Sequence, residues 1–274
     1  MTPSADAFGT YALPATEAKI LSLAQGLPAN WLGRRLALIL RKLVLRGRGI
    51  IVDATVEGMK LRLHTGDNIS ERKFLFMPQF FDFYERNLMK ETLSPGSIFV
   101  DIGANAGIYS LTASALVGNS GRVLAIEPNP KVLARLRFNA ALNGFDSRIV
   151  YAPYAAADKE GSFDLTLDDS NLGGSSLVID RGGARITVTC RPLLDIVNEN
   201  RLSCIDMLKA DIEGAEDQAL IPFLDSAPSH LYPRLIILEN AKDGWQCDLP
   251  GALQKAGYLL LKTTRMNQVW KKTG

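Results

Sequence analysis

The run Ile98-Phe-Val-Asp101-Ile-Gly103-Ala-Asn105-Ala-Gly107-Ile-Tyr-Ser110 holds a strand, a turn and the start of a helix in succession. Ile98, Phe99 and Val100 form a short apolar run bounded by Pro95-Gly96, too brief for a helix and right for a parallel strand buried on both faces. Asp101 ends that run. Gly103, Asn105 and Gly107 then make a turn, and residues 108–117 continue with helical character until Gly118 supplies a C-terminal stop. Gly103 lets the chain reverse with no Cβ in the way, Asn105 tolerates a left-handed backbone, and Gly107 allows a ligand close to the main chain. The free N–H groups at the start of the helix make a pocket for a carboxylate or phosphate, with Asp101 beside it to accept from an ammonium or hydroxyl. That combination fits an amino-acid-like head group carrying both charges.

Length and composition set the frame. The 274 residues are 47% hydrophobic and 22% charged, enough to bury the core of one α/β domain plus an extension. A formal net charge of +2 gives no global nucleic-acid footprint, so any basic partner surface must be local. Cys190, Cys204 and Cys247 are odd in number and far apart, which argues against a disulfide framework or a structural zinc site and fits a reducing cytosol. The first twenty residues lack a cationic start followed by an apolar core, so no secretory signal is read, and no uncharged apolar run approaches the about 20 residues of a membrane span.

Working outward toward the N-terminus, residues 1–25 read as a loose leader with little periodicity. Residues 26–94 read as an N-terminal extension containing a basic helix, a hairpin and an aromatic-rich cover. In Trp31 to Arg48, Leu32, Leu36, Ile39, Leu40 and Leu43 fall at helical spacing among Arg34, Arg35, Arg41, Lys42, Arg46 and Arg48, and no acid occurs between Glu17 and Asp53. The plain reading is a helix packed on the domain with a solvated basic face; the sharper one is peripheral contact of residues 31–48 with anionic membrane lipid or an acidic partner. Residues 50–56 and 59–64 read as a hairpin across Glu57-Gly58. Phe74, Phe76, Phe80, Phe81, Phe83 and Tyr84 follow just upstream of the ligand turn, where they can cover a cofactor.

Toward the C-terminus, residues 95–274 read as the catalytic domain. A second strand over 122–126 ends in Glu127, a helix follows over 131–143, and a third strand lies over 149–152. This alternation implies right-handed crossovers and a parallel sheet. It lapses over about 161–192, where strands at 162–167 and 185–190 read as an inserted hairpin joined by the glycine-rich loop 168–183. It resumes with a strand at 205–209, a turn and helix over 211–224, a strand at 235–238 and a helix over 249–256. Residues 258–262 and 268–271 read as a closing hairpin.

A dinucleotide site wants Gly-x-Gly-x-x-Gly, but counting from Gly103 the second and third glycine positions hold Asn105 and Ile108. A phosphate loop ending in Gly-Lys-Ser/Thr is absent as well. Glu127, at the end of the strand beside the first, can take both hydroxyls of a ribose. With Asp101 it predicts a ligand with an amino-acid end and a ribose end, and S-adenosylmethionine is such a ligand.

Asp101-Ile-Gly-Ala-Asn-Ala-Gly107, Glu127-Pro-Asn-Pro130, Asn139 and Asn143, Lys209-Ala-Asp211-Ile-Glu213-Gly-Ala-Glu216, and Glu239 together resemble the FkbM-type S-adenosylmethionine-dependent methyltransferases over residues 61–258. The resemblance implies an α/β, Rossmann-like, seven-stranded class I methyltransferase sheet whose last strand is antiparallel, with helices on both faces and an N-terminal helical and hairpin extension. It also implies that Asp101, Gly103, Asn105 and Gly107 hold the methionine part of the cofactor and Glu127 the ribose. Asp158 would sit near the adenine, and Tyr84-Glu85 would match an aromatic-acidic pair that brings Glu85 to the cofactor.

A sulfonium already activates its methyl group, so the reaction needs an aligned nucleophile in a dry site, and a hydroxyl nucleophile gains from a base or a metal. Lys209 and Asp211 fall on one side of their strand, with Glu213 at the turn and Glu239 ending the next strand. Asp211 is the expected base or metal ligand, with Lys209 orienting the hydroxyl and Glu239 completing the catalytic group. Asp211 with Glu239 is also the candidate pair for a divalent cation such as magnesium, on the slender basis of two carboxylates. The bland alternative is a buried ion pair of Lys209 with Asp211 or Glu213, and a capping role for Glu216.

The expected activity is O-methylation of a hydroxyl on a small molecule, sugar, glycan or natural product by a cytoplasmic enzyme. The alternatives are an amine or nucleic-acid acceptor, the latter disfavoured, or a non-catalytic module that binds S-adenosylmethionine. His64 and His230 read as structural or solvated.

Overall fold

Strand alternating with helix after residue 98 produces a sheet with its helices laid over it, and the order of strands decides where the side chains at their ends meet. A computed structural model of the chain describes residues 6–47, 49–166, 171–172, 184–240 and 244–273. In chain order its elements are α1 (Ala15–Gln25), α2 (Trp31–Leu45), β1 (Ile51–Val56), β2 (Met59–His64), α3 (Ile69–Phe76), α4 (Phe83–Thr92), β3 (Ile98–Ile102), α5 (Ile108–Val117), β4 (Arg122–Ile126), α6 (Pro130–Leu142), β5 (Ile149–Ala152), β6 (Ala155–Ala157), β7 (Gly161–Thr166), β8 (Arg185–Pro192), α7 (Leu193–Glu199), β9 (Met207–Ala210), α8 (Glu216–Ser226), β10 (Leu235–Glu239), α9 (Leu249–Lys255), β11 (Tyr258–Thr263) and β12 (Asn267–Lys272).

The main sheet has the order β11-β12-β10-β9-β3-β4-β5. From β10 to β5 the neighbours are parallel, and the last strand, β12, runs antiparallel between β10 and β11. The antiparallel last strand thus stands as expected. Side chains alternate across the pleat, so each strand feeds two cores. Phe99, Val123, Ala125, Met207, Ile237 and Val269 join α5 and α6 in one. Val100, Leu124, Ile126, Leu208, Leu238 and Trp270 join α7, α8 and α9 in the other. Helices therefore cover both faces.

The N-terminal extension shares the first of these cores through Val44, Val52, Leu61, Leu63, Phe74 and Phe76. The expected loose leader over 1–25 does not hold for its second half. Residues 15–25 form α1, which buries Leu21 and Ala24, and ahead of it the N–H groups of Gly9 and Tyr11 donate to Asp53 Oδ2 at 2.8 and 3.1 Å. Asp53 is itself buried against Arg62 at 2.7 Å, so the leader is tied down by a buried ion pair that short-range periodicity does not reveal. A second correction concerns α2. It buries Gly33, Ala37, Val44 and Leu45, while of the stripe read as its packed face Leu32, Leu36, Ile39 and Leu43 are exposed and only Leu40 is half-buried.

Asn139 and Asn143, part of the family resemblance but without an assigned role, dock α6 on the hairpin. Asn139 Oδ1 accepts from Arg62 N at 2.7 Å and its Nδ2 donates to Arg62 O at 3.2 Å; Asn143 makes the same pair of bonds with Lys60 at 2.9 and 2.8 Å. The two amides imitate a neighbouring strand for β2. Because Asn139 is buried, Asn139→Ala strands a main-chain N–H and C=O away from water and is expected to cost about 2 kcal/mol, read by urea denaturation. Asn143 is only half-buried, so Asn143→Ala should cost less.

The inserted hairpin is present as β7 paired antiparallel with β8, and the sequence reading missed β6, which pairs parallel with β8 to make a three-stranded sheet. It also missed α7. Most of the loop 168–183 lies outside the described residues. Among the described residues no helix is long and apolar enough to cross a membrane.

Candidate active site

Parallel strands present the same end to one edge of the sheet, and the cavities lie across that edge. The larger, about 550 Å³, is walled by the turn after β3, the ends of β9 and β10, the segment from Met77 to Asp82, and residues of α2, α3 and α5. In the register of β3 with β9, Asp101 stands beside Lys209, and both are buried. Asp101 Oδ2 accepts from Ser110 Oγ at 2.6 Å, whereas Oδ1 is buried with no hydrogen-bond partner. Burial pushes its carboxyl above the usual range, opposed by Lys209. Lys209 Nζ lies 2.8 Å from Asp211 Oδ2 and 4.8 Å above the centre of the Tyr109 ring. Burial opposes its charge, but Asp211 and Asp101 outweigh that and hold the ammonium protonated.

The turn is built as its residue types require, with one change of purpose. Asn105 has a φ of 52°, Gly103 of 76° and Gly107 of 88°, all left-handed. A Cβ on Gly103 would run into the Asp211 carbonyl oxygen, and one on Gly107 into Leu136 of α6. Both glycines line the cavity, and their bareness also permits close packing against neighbouring chain. Asn68 Nδ2 donates to Asn105 Oδ1 at 2.7 Å and fixes the turn from above.

Gly103, Asn105 and Asp211 also border a second, narrower cavity that contains Glu127, Pro128, Tyr154, Leu165 and Leu172. Glu127 is buried, accepting from the N–H groups of Asn105 and Asn129 at 2.8 Å each, and burial raises it to about 7. Two expected cofactor residues are not brought here. Asp158 is exposed just after β6 and lines neither cavity; the walls at that end are Tyr154, Leu165 and Leu172. Glu85 is buried but turned to the closing hairpin, where Oε1 accepts from Thr264 Oγ1 at 2.8 Å and Asn267 Nδ2 at 2.9 Å. The acid of α4's entry that does reach the larger cavity is Asp82, which accepts from the Tyr109 hydroxyl at 3.0 Å. Neither Asp82 nor Tyr109 had a signal in the sequence beyond proximity to the aromatic run. Glu216, read as a helix cap, instead holds the loops at the start of α8, accepting from Ile212 N and Trp245 Nε1 at 2.8 Å each.

Asp211, Glu213 and Glu239 each place a carboxylate oxygen within 4.8 Å of the others, so Glu213 joins the pair read as a candidate for a divalent cation. Without a cation their mutual repulsion must be relieved by a proton. Burial, then Asp211, Glu213 and Glu216, raise Glu239 to about 8, and its Oε2 is buried without a partner. The unfolded chain releases that proton near the ordinary value of about 4.5, so a rising pH favours the unfolded state until the folded carboxyl also ionises at about 8. Glu71 and Glu127, each raised to about 7 by burial, stop contributing by neutral pH. In buffer containing a chelator, stability should therefore still fall between pH 7 and 8, and Glu239→Gln should flatten that slope by about 1 kcal/mol once solvent screening is discounted. Guanidinium unfolding of both chains at the two pH values measures it.

The seven-stranded sheet with its antiparallel last strand, and a turn and two acids at the sheet's ligand-binding edge, define a class I methyltransferase fold. Residues 101–258 match the family model described as the methyltransferase FkbM domain, and the chain belongs to that family. Among curated relatives, the AMB antimetabolite synthetase AmbE of Pseudomonas aeruginosa is 22% identical over 65% of this chain and 10% of its own length. Methyltransferase sdnD of Sordaria araneosa is 27% identical over 47% of this chain and 61% of its own. The chain thus spans less than two thirds of either relative. The solved structure of methyltransferase FkbM from Methylobacillus flagellatus is 18% identical, with a TM-score of 0.45 over 75% of this chain and 55% of that one.

Proposed function

We propose that this protein is an S-adenosylmethionine-dependent methyltransferase acting on a hydroxyl of a small-molecule, sugar or glycan acceptor. The observation that carries this reading is the partnerless, buried Oδ1 of Asp101 in a cavity that shares a wall with the cavity of Glu127. A buried carboxylate oxygen without a donor is costly, and an ammonium removes that cost. Asp101 would hold the amino group of the cofactor, the turn from Gly103 to Gly107 its carboxylate, Glu127 the ribose hydroxyls, and Tyr154, Leu165 and Leu172 the base. When bound there, the cofactor supplies a methyl group already activated on a sulfonium.

The chain's own residues then have four tasks. Asp211, held at 2.8 Å by Lys209, has accepting positions left over and takes the acceptor's hydroxyl proton. Lys209 keeps that carboxylate in place and offers positive charge to an oxygen losing its proton. Glu239, raised to about 8 by burial and by its acidic neighbours, retains its own proton at neutral pH. Met77, Phe80 and Phe81 supply an apolar wall that thins the water around the reacting oxygen. The unpaired cysteines Cys190, Cys204 and Cys247 fit the cytoplasmic setting read from the sequence.

Calorimetric titration of the full chain with S-adenosylmethionine and with S-adenosylhomocysteine tests the reading. Saturable heat with both, followed by release of the latter in the presence of hydroxyl-rich extract fractions, is the expected result. No heat with either ligand, on material that melts cooperatively, overturns it.

A further inference from the structure

Helix α2 carries more apolar surface than the fold buries. Its inner side uses small residues for close packing: a Cβ on Gly33 would run into the Pro28 carbonyl, and Ala37 is fully buried. About a third of a turn round the helix, Leu32, Leu36, Ile39 and Leu43 are 58%, 41%, 54% and 55% exposed. At about 100° per residue these four fall within a sector of about 60°, a continuous stripe along the helix. Trp31, 70% exposed, borders the stripe together with Arg35 and Lys42, and the Arg35 guanidinium lies 4.8 Å above the centre of the Trp31 ring. Arg34, Leu38 and Arg41 lie on the far side of the helix from the stripe and line the larger cavity. The helix has no acid, and among the described residues Arg34, Arg35, Arg41 and Lys42 have no acidic partner.

We infer that α2 docks the protein on an anionic lipid surface, lying in the plane of the headgroups with its exposed leucine stripe turned into the lipid. An aliphatic stripe edged by an aromatic ring and cations is the pattern that partitions into the boundary between headgroups and acyl chains. With 15 residues the helix is roughly 22 Å long, and no described helix is long and apolar enough to cross, so it lies on the membrane. Charge selects the occupant. Two copies meeting stripe to stripe would crowd Arg35 and Lys42 of each into one interface, whereas acidic lipid neutralises them. The surroundings agree: Met266, which lines the same cavity from the turn between β11 and β12, and Phe83, next to the lining residue Asp82, are both exposed.

The test is sedimentation of the full chain with vesicles of phosphatidylglycerol and phosphatidylcholine, against phosphatidylcholine alone, at about 0.1 M salt. The chain should pellet with the acidic vesicles only, and 1 M salt, which shortens the screening length to about 3 Å, should release much of it. Leu36→Glu/Ile39→Glu should weaken binding by about tenfold or more. Arg35→Gln/Lys42→Gln should weaken it by about 25-fold, at about fivefold for each positive charge lost. Thermal unfolding of both variants should match the unaltered chain. Three results overturn the inference: no pelleting of the folded chain with acidic vesicles, pelleting undiminished in Leu36→Glu/Ile39→Glu, or a dimer in sedimentation equilibrium that this variant dissolves. Vesicle binding without cofactor heat overturns the methyltransferase reading alone.

Discussion

Asp101→Asn is expected to weaken S-adenosylmethionine binding by about 100-fold or more while shifting the melting temperature by no more than a few degrees. The substitution keeps the size of the side chain and an oxygen to accept from Ser110 Oγ, so the turn keeps its shape. What it removes is negative charge at a site where burial already strains that charge and where Oδ1 has no donor. Loss of a charge-assisted hydrogen bond in such a site costs about 3 kcal/mol, and replacing a desolvated carboxylate by a neutral group costs the folded chain little. Lys209 retains Asp211 as its partner, so no unpaired ammonium is created. Calorimetric affinity and a melting curve on the same preparation separate the two effects. Unchanged affinity would remove Asp101 from the cofactor site.

Asp211→Asn should lower turnover by about a thousandfold while changing cofactor affinity by less than about threefold. General-base catalysis contributes between about 100- and 10,000-fold, and an amide cannot take the hydroxyl proton. The Asp211 carbonyl, which packs against Gly103, is unaffected by the exchange, so the turn should persist. Lys209 loses its close partner but keeps Asp101 beside it in the strand register. Release of S-adenosylhomocysteine, with substrate saturation measured separately, shows whether the loss lies in kcat, as a base requires, or in KM, as a binding residue requires. Preserved turnover would move the proton to Glu239, whose carboxyl also lines the cavity.

Much of the site was legible because its chemistry sits at strand ends. Asp101, Glu127, Lys209, Asp211 and Glu239 were each readable as a polar residue closing an apolar run, and parallel neighbours bring such ends to one edge. Asp82 was not legible. Its place in the cavity depends on a left-handed φ of 42° at the entry to α4, while Glu85, three residues on and more conspicuous beside Tyr84, turns away to the closing hairpin. The glycines were recognised as necessary, and Gly103 turns the chain as read, but the packing of Gly107 against Leu136 was not foreseen, because a missing Cβ does not say what fills the space. Asn139 and Asn143 gave no hint that they would act as a strand's partner, since the backbone they bind lies 77 and 83 residues away.

The amino-acid sequence alone determined which residues share a face: period 2 in β3, β4 and β10, period near 3.6 in the helices, and glycine or asparagine where the chain must turn left-handed. The tertiary structure alone decided which face met which neighbour. In α2 both sides are apolar, and the choice fell to Gly33 and Ala37 because small side chains let the helix come close, which left the larger leucines outside. Periodicity is a property of one element, whereas burial is a competition among all of them for the same surface.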